Sequence, residues 1–154
     1  MNNFLKQYLE RFENSEKYLV AVAEAMPEQK YGYKPTADEK TFAEQLMHIA
    51  SGLDLHAQTF LADKEERPAS YFAVSGKTKR EIISFVHQIF KDAGNVISSF
   101  EPDRFDDTLN YDIHIRTKRQ IFFLLADHIT HHRAQLLVYM RLNGIAPPEY
   151  EKYQ

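Results

Sequence analysis

The run Thr117-Lys118-Arg119-Gln120-Ile121-Phe122-Phe123-Leu124-Leu125-Ala126-Asp127-His128-Ile129-Thr130-His131-His132-Arg133-Ala134-Gln135-Leu136-Leu137-Val138-Tyr139-Met140-Arg141-Leu142 decides the fold. Taking every third or fourth residue gives Ile121, Leu125, His128, His132, Gln135, Tyr139 and Leu142, the seam of a bundle helix. Thr117 and Gln120 form the ends of a capping box, and Asn143-Gly144 with Pro147-Pro148 beyond supplies a stop. The predicted helix therefore runs from about Lys118 to Leu142.

The same start signal occurs twice more, as Thr41-Phe42-Ala43-Glu44 and Thr78-Lys79-Arg80-Glu81, each just ahead of an apolar-periodic run. These place a second helix from about Phe42 to Ala62. A third covers Lys79 to Phe100, with Ile82, Phe85, Val86, Ile89, Phe90 and Ile97 on its buried side. The first helix runs from about Phe4 to Met26 through Phe4, Tyr8, Phe12, Leu19, Val22 and Met26, and Pro27 ends it. The amphipathic pattern is already present in Met1-Asn2-Asn3-Phe4-Leu5-Lys6. Long connections separate helices two, three and four, and Thr108 to Arg116 alternates weakly, as a short extended piece would. The expected fold is all-α, a four-helix bundle forming a single domain over residues 1–154. A long connection between helices two and three lets them run parallel, as in bundles with a crossover.

The chain has 154 residues, a formal net charge of -3 and no cysteine. Disulfides, thiolate ligands and a cysteine nucleophile are excluded. No basic patch of a nucleic-acid binder and no apolar stretch of transmembrane length is present, so no nucleic-acid or membrane partner is expected. The start of the chain lacks the continuous apolar run of a signal peptide, and a cytoplasmic location is expected.

The chemistry concentrates on the seam of helix four. His128 and His132 are four residues apart, about 40° on the helix surface, one turn above the other. Two imidazoles so placed can bind one metal ion. His131 points about 100° away from His132 and falls at the rim. Burying imidazoles in a seam costs on the order of 1–3 kcal/mol per unsatisfied group, which a metal relieves for two rings at once. Hydrogen-bonded core histidines explain the pair equally well, so a further ligand is needed. Helix two offers two. His56 falls in the stripe Phe42, Leu46, Ile49, Leu53, Phe60. His48 lies beside it among Glu44, Gln45, Ser51 and Gly52, small and polar neighbours that leave room for a ligand or water. Spacing alone does not choose between them. His87 and His114 are expected at the surface. Glu44, Gln45, Asp127 and His131 are candidates to orient the rings, and Gln135 and Tyr139 to line a pocket.

At Thr41-Phe42-Ala43-Glu44-Gln45-Leu46-Met47-His48-Ile49-Ala50 and at His128-Ile129-Thr130-His131-His132-Arg133-Ala134-Gln135-Leu136 the chain resembles the DinB-like (YfiT-type) superfamily of metalloenzymes, distinct from the DNA polymerase sharing the name. Tyr33-Lys34-Pro35 and the ending Arg141-Leu142-Asn143-Gly144 with Pro147-Pro148 fit as well. The resemblance spans nearly the whole chain. It implies an up-down-down-up bundle and a homodimer. It implies a metal-binding histidine triad mapping to His48, His128 and His132, which decides against His56. Members often read His-Arg-Gly-Gln where this chain has His132-Arg133-Ala134-Gln135, and alanine keeps that position small.

Three imidazoles with open coordination positions make a catalytic type of site. Zinc is the expected ion, with nickel, iron or manganese as alternatives, because nitrogen ligands discriminate poorly. The expected role is to polarise a substrate oxygen or to lower the pKa of a bound water or thiol. The superfamily includes transferases that use low-molecular-weight thiols. The expectation is therefore a metal-dependent transferase, of the thiol S-transferase type, or a hydrolase, acting on a small molecule. The alternative is a non-catalytic bundle in which the metal serves stability, binding or sensing.

Overall fold

The computed structural model describes residues 2–154. Met1, counted above in the amphipathic start, lies outside them. Four helices dominate: α1 (Asn3–Ala25), α2 (Phe42–Asp54, prolonged by a π-helical stretch Leu55–Leu61), α3 (Lys79–Ser98) and α4 (Lys118–Leu142). The all-α expectation needs one correction. The alternating segment forms an antiparallel hairpin of β1 (Thr108–Tyr111) and β2 (His114–Thr117), with Thr108 opposite Thr117 and Tyr111 opposite His114. Its tight turn places Asp112 at φ 53°, a left-handed conformation that aspartate tolerates better than most residues.

All three capping boxes form. The Thr41 N–H donates to Glu44 Oε2 at 2.7 Å while the Thr41 hydroxyl accepts from the Glu44 N–H at 3.2 Å. Thr78 with Glu81 and Thr117 with Gln120 repeat the exchange. Each cap contributes about 1 kcal/mol to fixing where its helix begins. Helix α3 ends at Ser98, two residues earlier than expected, because the chain turns toward Pro102, whose preceding residue disfavours helix.

Helices α1 and α2 each pack between α3 and α4. Aromatic side chains fill one end of the bundle. Phe122 meets Phe4, Tyr8 and Phe100 edge to face, with centroids 5.6, 4.9 and 5.1 Å away. The Tyr8 hydroxyl donates to the Phe122 carbonyl at 2.7 Å, tying the first halves of α1 and α4 together. Along α1 and α3, Phe12 meets Phe90 at 5.1 Å and the Lys79 ammonium reaches the Glu24 carbonyl at 2.6 Å. Lys118, buried at the start of α4, donates to the Leu61 carbonyl at 3.0 Å and pairs with Asp63 at 2.6 Å, pinning the end of the α2 rod. Leu142, expected on the seam, is 58% exposed because it sits in the last turn, where the chain leaves the bundle, and Met140 is buried instead. No helix of the described residues is long and apolar enough to cross a membrane.

Candidate metal centre

The facing surfaces of α2 and α4 carry the polar part of the interior. His128 and His132 stand one turn apart on α4, and His48 projects toward them from α2. One ligand atom from each of the three lies within 4.8 Å of the others. Nε2 of His48 is 3.1 Å from Nε2 of His132, and the ring centroids of His48 lie 4.3 Å from His132 and 5.1 Å from His128. Nitrogens sharing one tetrahedral zinc, each at about 2.0–2.1 Å, stand roughly 3.3–3.4 Å apart. The closest pair therefore fits one ion nearly as it stands, and the third ring offers a nitrogen within 4.8 Å of both.

The rings are prepared to offer lone pairs. Burial in the bundle pushes the pKa of His48 and His128 down to about 4, and nearby imidazoles add to the shift. Burial lowers His132 as well. All three are neutral at pH 7, the form a metal requires. Nδ1 of His132 donates to Oε1 of Gln135 at 3.2 Å, which holds the proton on that nitrogen and leaves the Nε2 lone pair facing His48. The Gln135 carboxamide in turn accepts from Nε2 of Gln45 across the helix pair. Gln45 is buried, and its own Oε1 has no hydrogen-bond partner.

Backbone shape makes the third ring fit. A Cβ at Gly52 would run into the His128 imidazole, so the bare α2 backbone there forms a cradle for that ring. Nε2 of His128 lies 3.2 Å from the His48 carbonyl oxygen. The Gly52 carbonyl also accepts from Nδ1 of His56 at 2.5 Å, while Nε2 of His56 contacts the Tyr111 hydroxyl at 3.1 Å. His56 is therefore occupied on both nitrogens and stands beside the cluster, its centroid 5.8 Å from that of His128. Of the two helix-two histidines that spacing left open, His48 is the one brought to the α4 pair.

A sequence profile of the DinB family matches residues 1–153. The chain belongs to the DinB family. Its fold is similar to the crystal structure of a DinB-like protein, YjoA, from Bacillus subtilis, with a TM-score of 0.76 at 21% identity over 94% of this chain and 96% of that one. A DinB-like protein from Bacillus cereus is similar at a TM-score of 0.74 and 14% identity, over 95% and 94% of the two chains. No curated protein matches the chain.

The remaining candidates in this DinB-family chain are distributed unevenly. Gln135 and Gln45 form the relay to His132 just described. Tyr139 is buried one turn beyond Gln135 and donates to the Lys40 carbonyl at 3.0 Å, bracing the loop ahead of α2. The Glu44 carboxylate is exposed and held in the α2 cap, whose hydrogen bonds lower its pKa, so it does not orient a ring. Asp127 is exposed on α4 and makes no hydrogen bond to a histidine among the described residues. His131 is exposed, with Nε2 3.4 Å from Nε2 of Gln135. His87 pairs with Glu16 at 2.5 Å on the surface, and His114 is exposed on β2.

Two contributors escaped the sequence reading. Tyr111 reaches His56 only because the hairpin folds against α2, and no local pattern announces that docking. A cavity of about 380 Å³ opens beside His48, walled by Glu44, Met47 and Ser51 of α2 and by Phe72, Ala73 and Val74 of the α2–α3 connection. The length of that connection was visible, but its course over His48 was not.

Proposed function

We propose that this chain binds one divalent metal ion through His48, His128 and His132 and acts as a metal-dependent transferase, of the thiol S-transferase type, or a hydrolase, on a small molecule. The observation that carries the reading is the convergence of three neutral imidazoles from two helices, one of which, His48, also lines a cavity. The donor set is all nitrogen and leaves coordination positions free, which suits zinc first and nickel, iron or manganese next. Bound there, a divalent ion would supply Lewis acidity toward an oxygen or sulfur atom of a substrate.

The chain's own residues define the rest. Gln135 holds His132 in the tautomer that presents Nε2, and Gln45 steadies Gln135. Gly52 admits the His128 ring. Met47, Phe72 and Val74 give the cavity an apolar wall that would take the hydrocarbon part of a substrate and exclude water, while Ser51 offers a hydroxyl. Asp127 faces solvent, while Glu44, with one carboxylate oxygen in the α2 cap, shares the cavity wall with His48. The arrangement suits both a substrate bringing its own nucleophile, such as a low-molecular-weight thiol, and hydrolysis. It also keeps the second reading open, a metal-stabilised binding or sensing bundle without turnover.

We take residues 1–154 as one domain, supported by a single continuous core. We take the helices to run up-down-down-up with the crossover between α2 and α3. The pairing of early α1 with early α4, and of late α1 with early α3, supports this. A homodimer in the cytoplasm completes the proposal, with Ile113 and Ile115 on the hairpin as exposed apolar groups available to a second copy.

The test is metal analysis and zinc titration of protein purified without a histidine tag, followed by turnover of a model electrophile with a panel of thiols. One equivalent of zinc with thiol-dependent turnover supports the enzyme. One equivalent without turnover across the panel supports the binder. Less than about a tenth of an equivalent, with no uptake on addition, overturns the metal site, given that preformed sites of this donor set bind zinc tightly.

A further inference from the structure

Arg133 follows His132 in the chain, but its side chain lies against α1 rather than α2. It is 5% exposed. Its guanidinium sits over the ring of Tyr18 at 5.0 Å and that of Tyr150 at 5.6 Å. A tyrosine face attracts a cation but gives its N–H groups no acceptor in the plane. Nη1 is buried with no hydrogen-bond partner. Neither Arg133 nor Arg11, its neighbour across the groove, is in an ion pair among the described residues. A buried guanidinium without a carboxylate is unusual, because its desolvation is ordinarily offset by an anion.

Beside it a cavity of about 380 Å³ opens between α1 and α4, walled by Arg11, Ser15, Thr130, Arg133 and Tyr150. Two guanidinium groups and one side-chain carboxylate, that of Glu10, line it, with Gln154 at the end of the chain also on its wall. A neighbouring cavity of about 500 Å³ shares Arg133 but balances Arg133 and Arg141 against Glu149 and Glu151. Among side chains alone, only the first has a surplus of positive charge, and only there does the unpartnered Nη1 of Arg133 meet a second guanidinium without a matching pair of glutamates. Two hydroxyls and two guanidinium groups on one concavity can all donate to a small oxyanion, although Glu10, Gln7 and Asn14 also place acceptors on its wall. The aromatic wall suits a planar group attached to it.

We propose that this cavity binds a small molecule bearing a carboxylate or phosphate group, held by Arg133 and Arg11 with Ser15 and Thr130, at a site separate from the histidine cluster. The proposal does not depend on the metal reading, since the two sites lie on opposite flanks of α4.

The test uses the metal-free full chain, titrated with inorganic phosphate and with benzoate. Binding is followed by calorimetry and by tyrosine fluorescence, which the chain's lack of tryptophan leaves unobscured. Saturable binding of either anion is expected. A response to phosphate alone marks a phosphate site, and a response to benzoate alone marks a carboxylate site. Arg11→Gln, at an exposed position, should weaken binding about tenfold or more, the usual loss for one charge-assisted contact. Arg133→Lys should weaken it further by losing the planar fork. His132→Ala should leave it unchanged. If Arg133→Lys fails to fold, Arg11→Gln decides alone. The proposal is overturned if neither anion saturates by about 10 mM, below which even a weak specific site should fill. It is equally overturned if Arg11→Gln binds like the parent, or if His132→Ala removes the response.

Discussion

Gly52 and His128 occupy one space: the imidazole of α4 sits where any side chain on that residue of α2 would begin. The helix pair can close over the three rings only because that position is bare. Replacing Gly52 with alanine should force His128 out of the cluster. Overpacking of this kind costs about 1–3 kcal/mol, a loss a bundle of this size survives. The expected outcome of Gly52→Ala is a folded protein with a lowered Tm and zinc affinity reduced at least about tenfold, a small fraction of what one lost imidazole would remove. Circular dichroism and a chelator-competition titration measure both. Parental zinc affinity in the alanine variant would show that His128 is not a ligand in its present pose.

His132 of α4 and His56 of the α2 rod should separate cleanly. His132→Ala removes half of the closest nitrogen pair and should abolish stoichiometric zinc binding. His56→Ala breaks hydrogen bonds to Gly52 and Tyr111 and should lower stability by roughly 1–3 kcal/mol, the cost of leaving buried partners unpaired, while keeping one equivalent of zinc. Inductively coupled plasma analysis after dialysis gives the stoichiometry. Zinc lost in the His56 variant and retained in the His132 variant would reverse the assignment.

Gln135 acts on the metal through His132. Gln135→Leu keeps the volume and removes the acceptor on Nδ1, so the imidazole loses both its orientation and its tautomer preference. Losses of this type run to about 10–100-fold in metal affinity. The same substitution leaves Gln45 without its partner, and Gln135→Glu should restore the acceptor and recover most of the loss. A leucine variant indistinguishable from the parent in zinc competition would remove Gln135 from the site.

Acid should loosen the metal-free protein through the same rings. His48 and His128 are held near 4 against an ordinary value of 6.5, so between these values the unfolded chain takes up protons that the folded chain refuses. Stability therefore rises with pH across that window, is complete above about 6.5, and is lost as pH falls toward 4. The Tm of metal-free protein should decline through this range, before most carboxylates titrate. The decline should flatten in a His48→Ala/His128→Ala double variant. An unchanged slope in that variant would place the acid sensitivity elsewhere.

The helices were legible because their signals are local. A threonine hydroxyl and a carboxylate or carboxamide three residues later satisfy each other within one turn, so Thr41, Thr78 and Thr117 mark helix starts without reference to anything distant. The i, i+4 histidine pair on α4 was visible for the same reason. His48 against His56 was not decided by spacing, because the choice depends on how α2 is rotated against α4, a tertiary quantity. The family resemblance supplied it. Asp127 looked useful because it adjoins His128 in sequence, yet consecutive helix residues point about 100° apart, and it faces solvent. Tyr111, the cradle at Gly52 and the unpaired Arg133 all depend on contacts between elements far apart in the chain, which no window of sequence contains.

The π-helical turns that carry α2 from Leu55 to Leu61 hold more residues per turn than an α-helix, in effect one residue inserted into a regular rod. Removing a single residue from this stretch would let ordinary helix run through to the end. Because the wide turn already absorbs the extra residue, everything beyond the deletion would keep nearly its present direction around the axis. The Leu61 carbonyl would stay toward the ammonium of Lys118, the spacing around His56 inside the wide turn would change, and the ring at position 48, upstream of the change, would keep its place. One deleted codon would thus reshape the surroundings of His56 and leave both the histidine cluster and the anchor at Lys118 in place.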